Sequence, residues 1–174
     1  NNQFDTYPNY FFDYQVHPLI ENKFWFSNPS NSTIVYCNEG SGLLEYETNN
    51  IGFRKVENQD LKEPIDIILL GDSYAEGACV NNPFDTSSQL SIIRKENVLN
   101  LGKGGSGPLY QLALLKEILK YKKDKNISFS KDAKLVWLIF TGNDLQNLAE
   151  EKNHFFRKYL FSNYSIDYFE NILL

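Results

Sequence analysis

The sequence predicts a parallel α/β fold, because it holds three short apolar runs, each closed by a turn rich in small or polar residues. Ile65-Asp66-Ile67-Ile68-Leu69-Leu70, Val98-Leu99-Asn100-Leu101 and Leu135-Val136-Trp137-Leu138-Ile139-Phe140 are short enough to be strands. Segments of helical character alternate with them, and that order builds a parallel sheet. The closing turns are Gly71-Asp72-Ser73, Gly102-Lys103-Gly104-Gly105 and Thr141-Gly142-Asn143-Asp144. In a parallel sheet the carboxyl ends of the strands open on one crevice, so the three turns are expected to meet.

Before the first of these strands the chain has a different texture. Residues 1 to 30 carry Pro8, Pro18 and Pro29, which interrupt any helix, and read as an extended lead-in. Aromatic residues crowd this end, among them Phe4, Tyr7, Tyr10, Phe11, Phe12, Tyr14, Phe24, Trp25, Phe26, Tyr36, Tyr46 and Phe53, so it is expected to pack or bind. Thr33 to Cys37 and Leu43 to Thr48 flank Asn38-Glu39-Gly40-Ser41-Gly42 as a β-hairpin, and Asn49 to Arg54 come next as a turn. The polar stretch Glu57 to Glu63 ends at Pro64, dividing the chain into a lead-in over 1–63 and an α/β domain over 64–174.

Within the second part the expected order is strand 65–70, helix from Pro83 to Lys95, strand 97–101, helix from Pro108 to Lys123, strand 134–140 and helix from Asp144 to Leu160. Pro83 and Pro108 are placed as first helical residues, where the missing amide proton has no partner to lose. On the second helix Leu112, Leu115 and Leu119 give the apolar spacing, and Lys116, Lys120, Lys122 and Lys123 a solvated face. A sheet that stops at the run 135–140 has an open edge, and this apolar run expects cover on both faces.

Composition narrows the function. The chain has 174 residues, 42% of them hydrophobic, and a formal charge of −5, which gives no reason to expect nucleic acid. Cys37 and Cys79 lie in unlike segments without CxxC or Cys/His spacing, so free thiols are expected and neither zinc nor a redox pair. There is no apolar run of about 18 residues to span a membrane. The absence of methionine and the opening Asn1-Asn2 suggest a processed or trimmed piece of a longer protein.

The chemistry sits at the three turns. A serine hydroxyl becomes a useful nucleophile when a base takes its proton and donors stabilise the oxyanion. Ser73 supplies the hydroxyl and a backbone amide, Gly105 a second amide in a loop where Gly104 leaves the backbone bare, and Asn143 a side-chain amide held by Gly142. Gly71 and Asp72 complete the first turn. Asp72 is expected to accept backbone amides of its own turn, and Asp144 to cap the helix after it. Taken alone, Gly-Asp-Ser is an ordinary βα turn; the information is in three such turns in order. Gly102-Lys103-Gly104-Gly105-Ser106-Gly107 also satisfies G-x-G-x-x-G, the nucleotide-binding fingerprint. Its place after the second strand argues against that reading, as does the next strand, which ends near Thr141, well beyond the roughly 20 residues at which a ribose-binding acid is expected.

The ordered set resembles the SGNH/GDSL hydrolase family. Gly71-Asp72-Ser73 is similar to its first block, Asn100-Leu101-Gly102-Lys103-Gly104-Gly105 to its second and Gly142-Asn143-Asp144 to its third. The resemblance covers about residues 65 to 150. It implies a three-layer α/β/α, flavodoxin-like parallel sheet, incomplete here. Ser73 would be the nucleophile, with the Ser73 and Gly105 amides and the Asn143 side chain as oxyanion hole. It implies an esterase acting on small acyl groups, such as acetyl esters of a carbohydrate; no cofactor is expected, and no metal, since no cluster of His, Asp and Glu has a metal-ligand spacing. Family members end in an Asp-x-x-His block that this chain lacks. His154, in Glu151-Lys152-Asn153-His154, echoes that block but falls too soon after Asn143, and His17 lies in the lead-in. The segments around His17-Pro18 and Asn49 to Arg54 are similar to the lead-in of a bacterial subgroup anchored at the membrane. That implies the cell envelope or secretion, with the cytoplasm as the alternative. Two other readings stay open: an SGNH-fold domain that binds glycan or protein without catalysis, and an O-acyltransferase using the same serine.

Overall fold

The computed structural model describes residues 6–8, 27–37, 44–123, 126–152 and 160–161. They form two sheets. Strands β1 (Thr6–Pro8), β2 (Thr33–Cys37) and β3 (Leu44–Glu47) make the first, in the order β1-β2-β3. β2 and β3 pair antiparallel as the expected hairpin, and β1 adds in parallel on the other edge of β2. The inward side chains Ile34, Tyr36, Leu44 and Tyr46 form one buried cluster.

The second sheet consists of β4 (Ile65–Leu70), β5 (Val98–Asn100) and β6 (Phe129–Trp137), in the order β5-β4-β6 with both pairings parallel. A parallel α/β arrangement is thus present. Helices α1 (Ser73–Glu76), α2 (Thr86–Arg94), α3 (Pro108–Tyr121) and α4 (Asp144–Glu151) succeed the strands. Successive side chains of a strand point to opposite faces. On β4, Ile68 and Leu70 join Leu99, Leu101, Tyr110, Ala113, Leu114 and Ile118, whereas Ile67 and Leu69 join Val56, Ala75 and Val98; Ile65 falls in the first group, beyond a register shift between Ile65 and Ile67. Both faces of the central strand are covered, which is why it reads as a nearly continuous apolar run.

Several expected elements shift. Helix α2 begins at Thr86, not Pro83, because Asp85 is the better start: its carboxylate accepts from the Ser88 amide at 3.0 Å, satisfying a free helix-end donor. Pro108 does occupy the first turn of α3. The inner face of α3 is not the one its leucines suggest, since Leu112 and Leu119 are exposed and Tyr110, Ala113, Leu114, Glu117 and Ile118 are buried. A polar residue at 117 breaks the apolar pattern on the true inner face. Strand β6 starts at Phe129, earlier than expected, and ends at Trp137.

Cys79 is disulfide-bonded, and no free cysteine occurs among the described residues. The expectation of free thiols is therefore corrected. Short-range cysteine spacing carries no information on a bond between distant segments of a folded chain.

Among the described residues β6 lies at the edge of its sheet, and Leu135, Trp137, Ile139 and Phe140 along and beyond it are exposed. Among the described residues no helix is long and apolar enough to cross a membrane.

Candidate active site

The turn at the end of β4 is gripped from both sides. The Leu69 carbonyl accepts from Leu101 N and the Leu70 carbonyl from Leu138 N, each at 2.8 Å, and the Gly71 carbonyl from Lys103 N at 3.1 Å. The segments beyond β5 and β6 thus continue past their strands and close on Gly71. A side chain at Gly71 would meet Ala75 Cβ and the Leu138 carbonyl, both at 2.8 Å. Glycine is required there because three segments come together.

Asp72 is buried and caps α1, with Oδ1 accepting from the Tyr74 amide at 3.0 Å. Ser73 opens α1, half-buried, and its hydroxyl has no hydrogen-bond partner among the described residues. Beside it, the exposed rings of Tyr74 and Phe140 lie tilted against each other with centroids 4.8 Å apart, joining the first turn to the third. The Phe140 ring also fills the space a side chain on Gly142 would need. Asn143 is the N-cap of α4, yet its side chain makes no capping bond, and its buried Oδ1 has no partner among the described residues.

Asp144 does not cap α4 as expected. Its Oδ2 reaches back to accept from the Phe140 amide at 2.7 Å, which ties down the third turn, and its Oδ1 is buried without a partner among the described residues. Burial raises its pKa above the usual carboxylate range; the Phe140 amide opposes the rise and the charge of Asp72 adds to it.

The second turn is shaped by protein atoms. A side chain at Gly102 would collide with the backbone of α1 at Glu76 N, and one at Gly104 would lie 2.6 Å from the Tyr36 hydroxyl. A side chain at Gly107 would lie 2.6 Å from Glu151 Oε2. The three glycines of the G-x-G-x-x-G match are therefore filled against the fold. The amides of Gly107, Leu109 and Tyr110 at the start of α3 are occupied by the Glu151 carboxylate. A dinucleotide pyrophosphate would need that space and those donors. Gly105 is half-buried with φ +76°, a left-handed turn suited to glycine.

Behind the turns lies a buried polar cluster that local sequence patterns do not reveal. Glu76 accepts from Tyr46 Oη at 2.7 Å on Oε1, and on Oε2 from Tyr36 Oη at 2.9 Å and from the Gly104 amide. Asn28 donates to Tyr46 Oη at 3.0 Å and accepts from Lys103 Nζ at 2.9 Å. Burial lowers the Lys103 pKa, and Glu76 counters it. Burial also lifts both tyrosines well above their usual range, Glu76 adding to the rise. Arg54, also buried, donates to the carbonyls of Gly77 (2.7 Å) and Val80 (2.6 Å) and to Asn82 Oδ1 (2.6 Å), and stacks on Tyr46 at 5.0 Å. Of these, only the crowding at Gly102 and Gly104 leaves a trace in the sequence.

His17 and His154 lie outside the described residues. A cavity of about 460 Å³ lies elsewhere, between Asn31, Glu47 to Asn50, Gln59 to Lys62 and Asn126, at the opposite end of β4 from Ser73. Many of its polar groups bond one another, as in Lys55 to Glu47 at 3.0 Å and Asn49 to Gln59 at 3.3 Å, so it offers little to a ligand. No protein-family model, curated protein or solved structure matches this chain.

Proposed function

We propose that the chain carries the nucleophile and oxyanion site of an SGNH-type serine esterase on a flavodoxin-like sheet. Ser73 attacks the carbonyl of a small acyl ester, such as an acetylated carbohydrate. The oxyanion is held by the Ser73 and Gly105 amides and the Asn143 side chain, and the base comes from outside the described residues. The ester bond breaks as the Ser73 Oγ–acyl bond forms, with the Ser73 proton passing through the base to the leaving alcohol. Water then removes the acyl group and regenerates the serine.

The observation that carries this reading is the convergence of three strand ends on Gly71, with an unpaired hydroxyl at Ser73 beside them. The aromatic pair Tyr74 and Phe140 supplies an exposed apolar flank for the acyl group or a sugar ring next to that hydroxyl. By contrast Tyr36, Tyr46 and Phe53 are buried and offer no surface to a ligand. Disulfide bonding at Cys79 favours an oxidising compartment, in keeping with secretion or the cell envelope. Transfer of the acyl group to a sugar hydroxyl would use the same residues.

The test is turnover of p-nitrophenyl acetate by the full-length protein and its Ser73→Ala variant. Loss of turnover in the variant supports the assignment, and equal rates overturn it.

A further inference from the structure

Glu76 occupies a position that no substrate contact explains. It is the last residue of the helix that Ser73 begins, it is 2% exposed, and its carboxylate is turned away from solvent into the Tyr36, Tyr46 and Gly104 donors. A buried carboxyl group is costly unless its oxygens are all matched, and an apolar residue would pack the same helix at lower cost. What an apolar residue cannot do is fix the direction of a peptide.

We propose that Glu76 is a positioning residue that aims the Gly104-Gly105 peptide, so that the hairpin sheet sets the oxyanion site; the inference rests on Ser73 being the nucleophile. The loop is held at two consecutive residues. Lys103 is bound through its side chain to Asn28, and Gly104 through its amide to Glu76. Both anchors run into the hairpin, since Asn28 bonds Tyr46 and Tyr46 and Tyr36 bond Glu76. Asn28 donates to Tyr46 Oη, which leaves the hydroxyl proton of Tyr46 directed at Glu76. Tyr36 plays a second part, because its hydroxyl fills the place of a Gly104 side chain and blocks that face of the peptide. Arg54 completes the arrangement by fixing the carbonyls of Glu76 and Gly77, at 3.3 and 2.7 Å. One side chain therefore links the helix of the nucleophile, the loop of the second oxyanion donor and the first sheet.

Loss of this link should misdirect an oxyanion donor without removing a substrate contact, and such a defect falls on kcat and spares KM. Glu76→Gln puts an NH₂ group where one acceptor oxygen stood, so at least one of the three donors loses its partner. In the full-length protein with p-nitrophenyl acetate, kcat of Glu76→Gln should fall about tenfold or more with KM within about twofold of the parent. The amide proton signals of Gly104 and Gly105 should move together in the same variant. Tyr36→Phe should show a smaller fall in kcat of the same kind, and it carries the test alone if Glu76→Gln does not fold. Unchanged kcat, or a rise in KM at constant kcat, in the variant that folds overturns the inference provided Ser73→Ala is inactive. If Ser73→Ala retains full turnover, the esterase reading fails, and the Gly105 amide signal alone then decides whether Glu76 aims the peptide: a fixed signal overturns it, a moved one supports it.

Discussion

Glu151 on α4 closes the start of α3 at Gly107. Its Oε1 accepts from the Gly107 amide at 2.9 Å and from Tyr110 N at 3.2 Å, while Oε2 accepts from Leu109 N at 2.7 Å. Helix starts leave such donors unmatched, and Gly107 itself has no side chain with which to cap them. Glu151→Ala should cost about 2 to 4 kcal/mol, since it strands buried amides. Urea unfolding at unchanged m-value reads the loss as a lower midpoint.

Arg54 is a planar fork with each arm engaged, and lysine offers a single point charge. Arg54→Lys should therefore destabilise by about 3 kcal/mol, because one ammonium cannot serve the Gly77 and Val80 carbonyls and at the same time keep the 3.7 Å approach to the buried Asp85. Thermal unfolding of the variant should show the loss, and restoring arginine should recover it.

The two loop glycines should respond differently to alanine. At Gly102 the obstacle is helix backbone, which cannot give way, so Gly102→Ala should prevent folding. At Gly104 the obstacle is the Tyr36 hydroxyl, 2.6 Å away, so Tyr36→Phe should relieve part of the cost of Gly104→Ala. A double-mutant cycle on unfolding free energies should give a favourable coupling of about 1 kcal/mol between them.

Asp144 should make stability fall with rising pH. Its folded pKa is raised above the ordinary value of 3.8, so the folded state binds the proton more tightly than the unfolded chain. That contribution is full below the ordinary value and is lost as pH rises through the raised one. Asp144→Asn keeps an oxygen for the Phe140 amide and has no proton to lose. Its stability relative to the parent should therefore improve from about pH 4 to about pH 7, measured by urea unfolding across that range.

The range of each interaction decides how far it is legible in the sequence. Strand β4, the hairpin and Pro108 at the start of α3 are readable because local pattern and turn chemistry decide them. The inner face of α3 escapes the pattern because Gln111 and Glu117 sit on it, and the burial of Gln111 depends on a distant partner, Trp137, whose Nε1 donates to it at 2.6 Å. Asp144 looks like a helix cap because its type and place suit one, yet the amide it serves lies four residues upstream. The order of the three turns is visible in the sequence. The role of Glu76 is not, since its donors come from positions 36, 46 and 104, which only folding brings together.

Strand β6 changes character along its length. Lys131, Asp132 and Lys134 line its exposed first half, and Leu135 and Trp137, with Ile139 and Phe140 beyond them, its second. Charge on an edge strand discourages a second strand from adding to it. That guard ends where the apolar half begins, at the corner where Phe140 meets the neighbour of Ser73. This apolar corner and the proposed nucleophile thus share one place, so on the esterase reading whatever crowds one obstructs the other. If Ser73 is the nucleophile, detergent or high protein concentration should slow p-nitrophenyl acetate turnover by covering that corner.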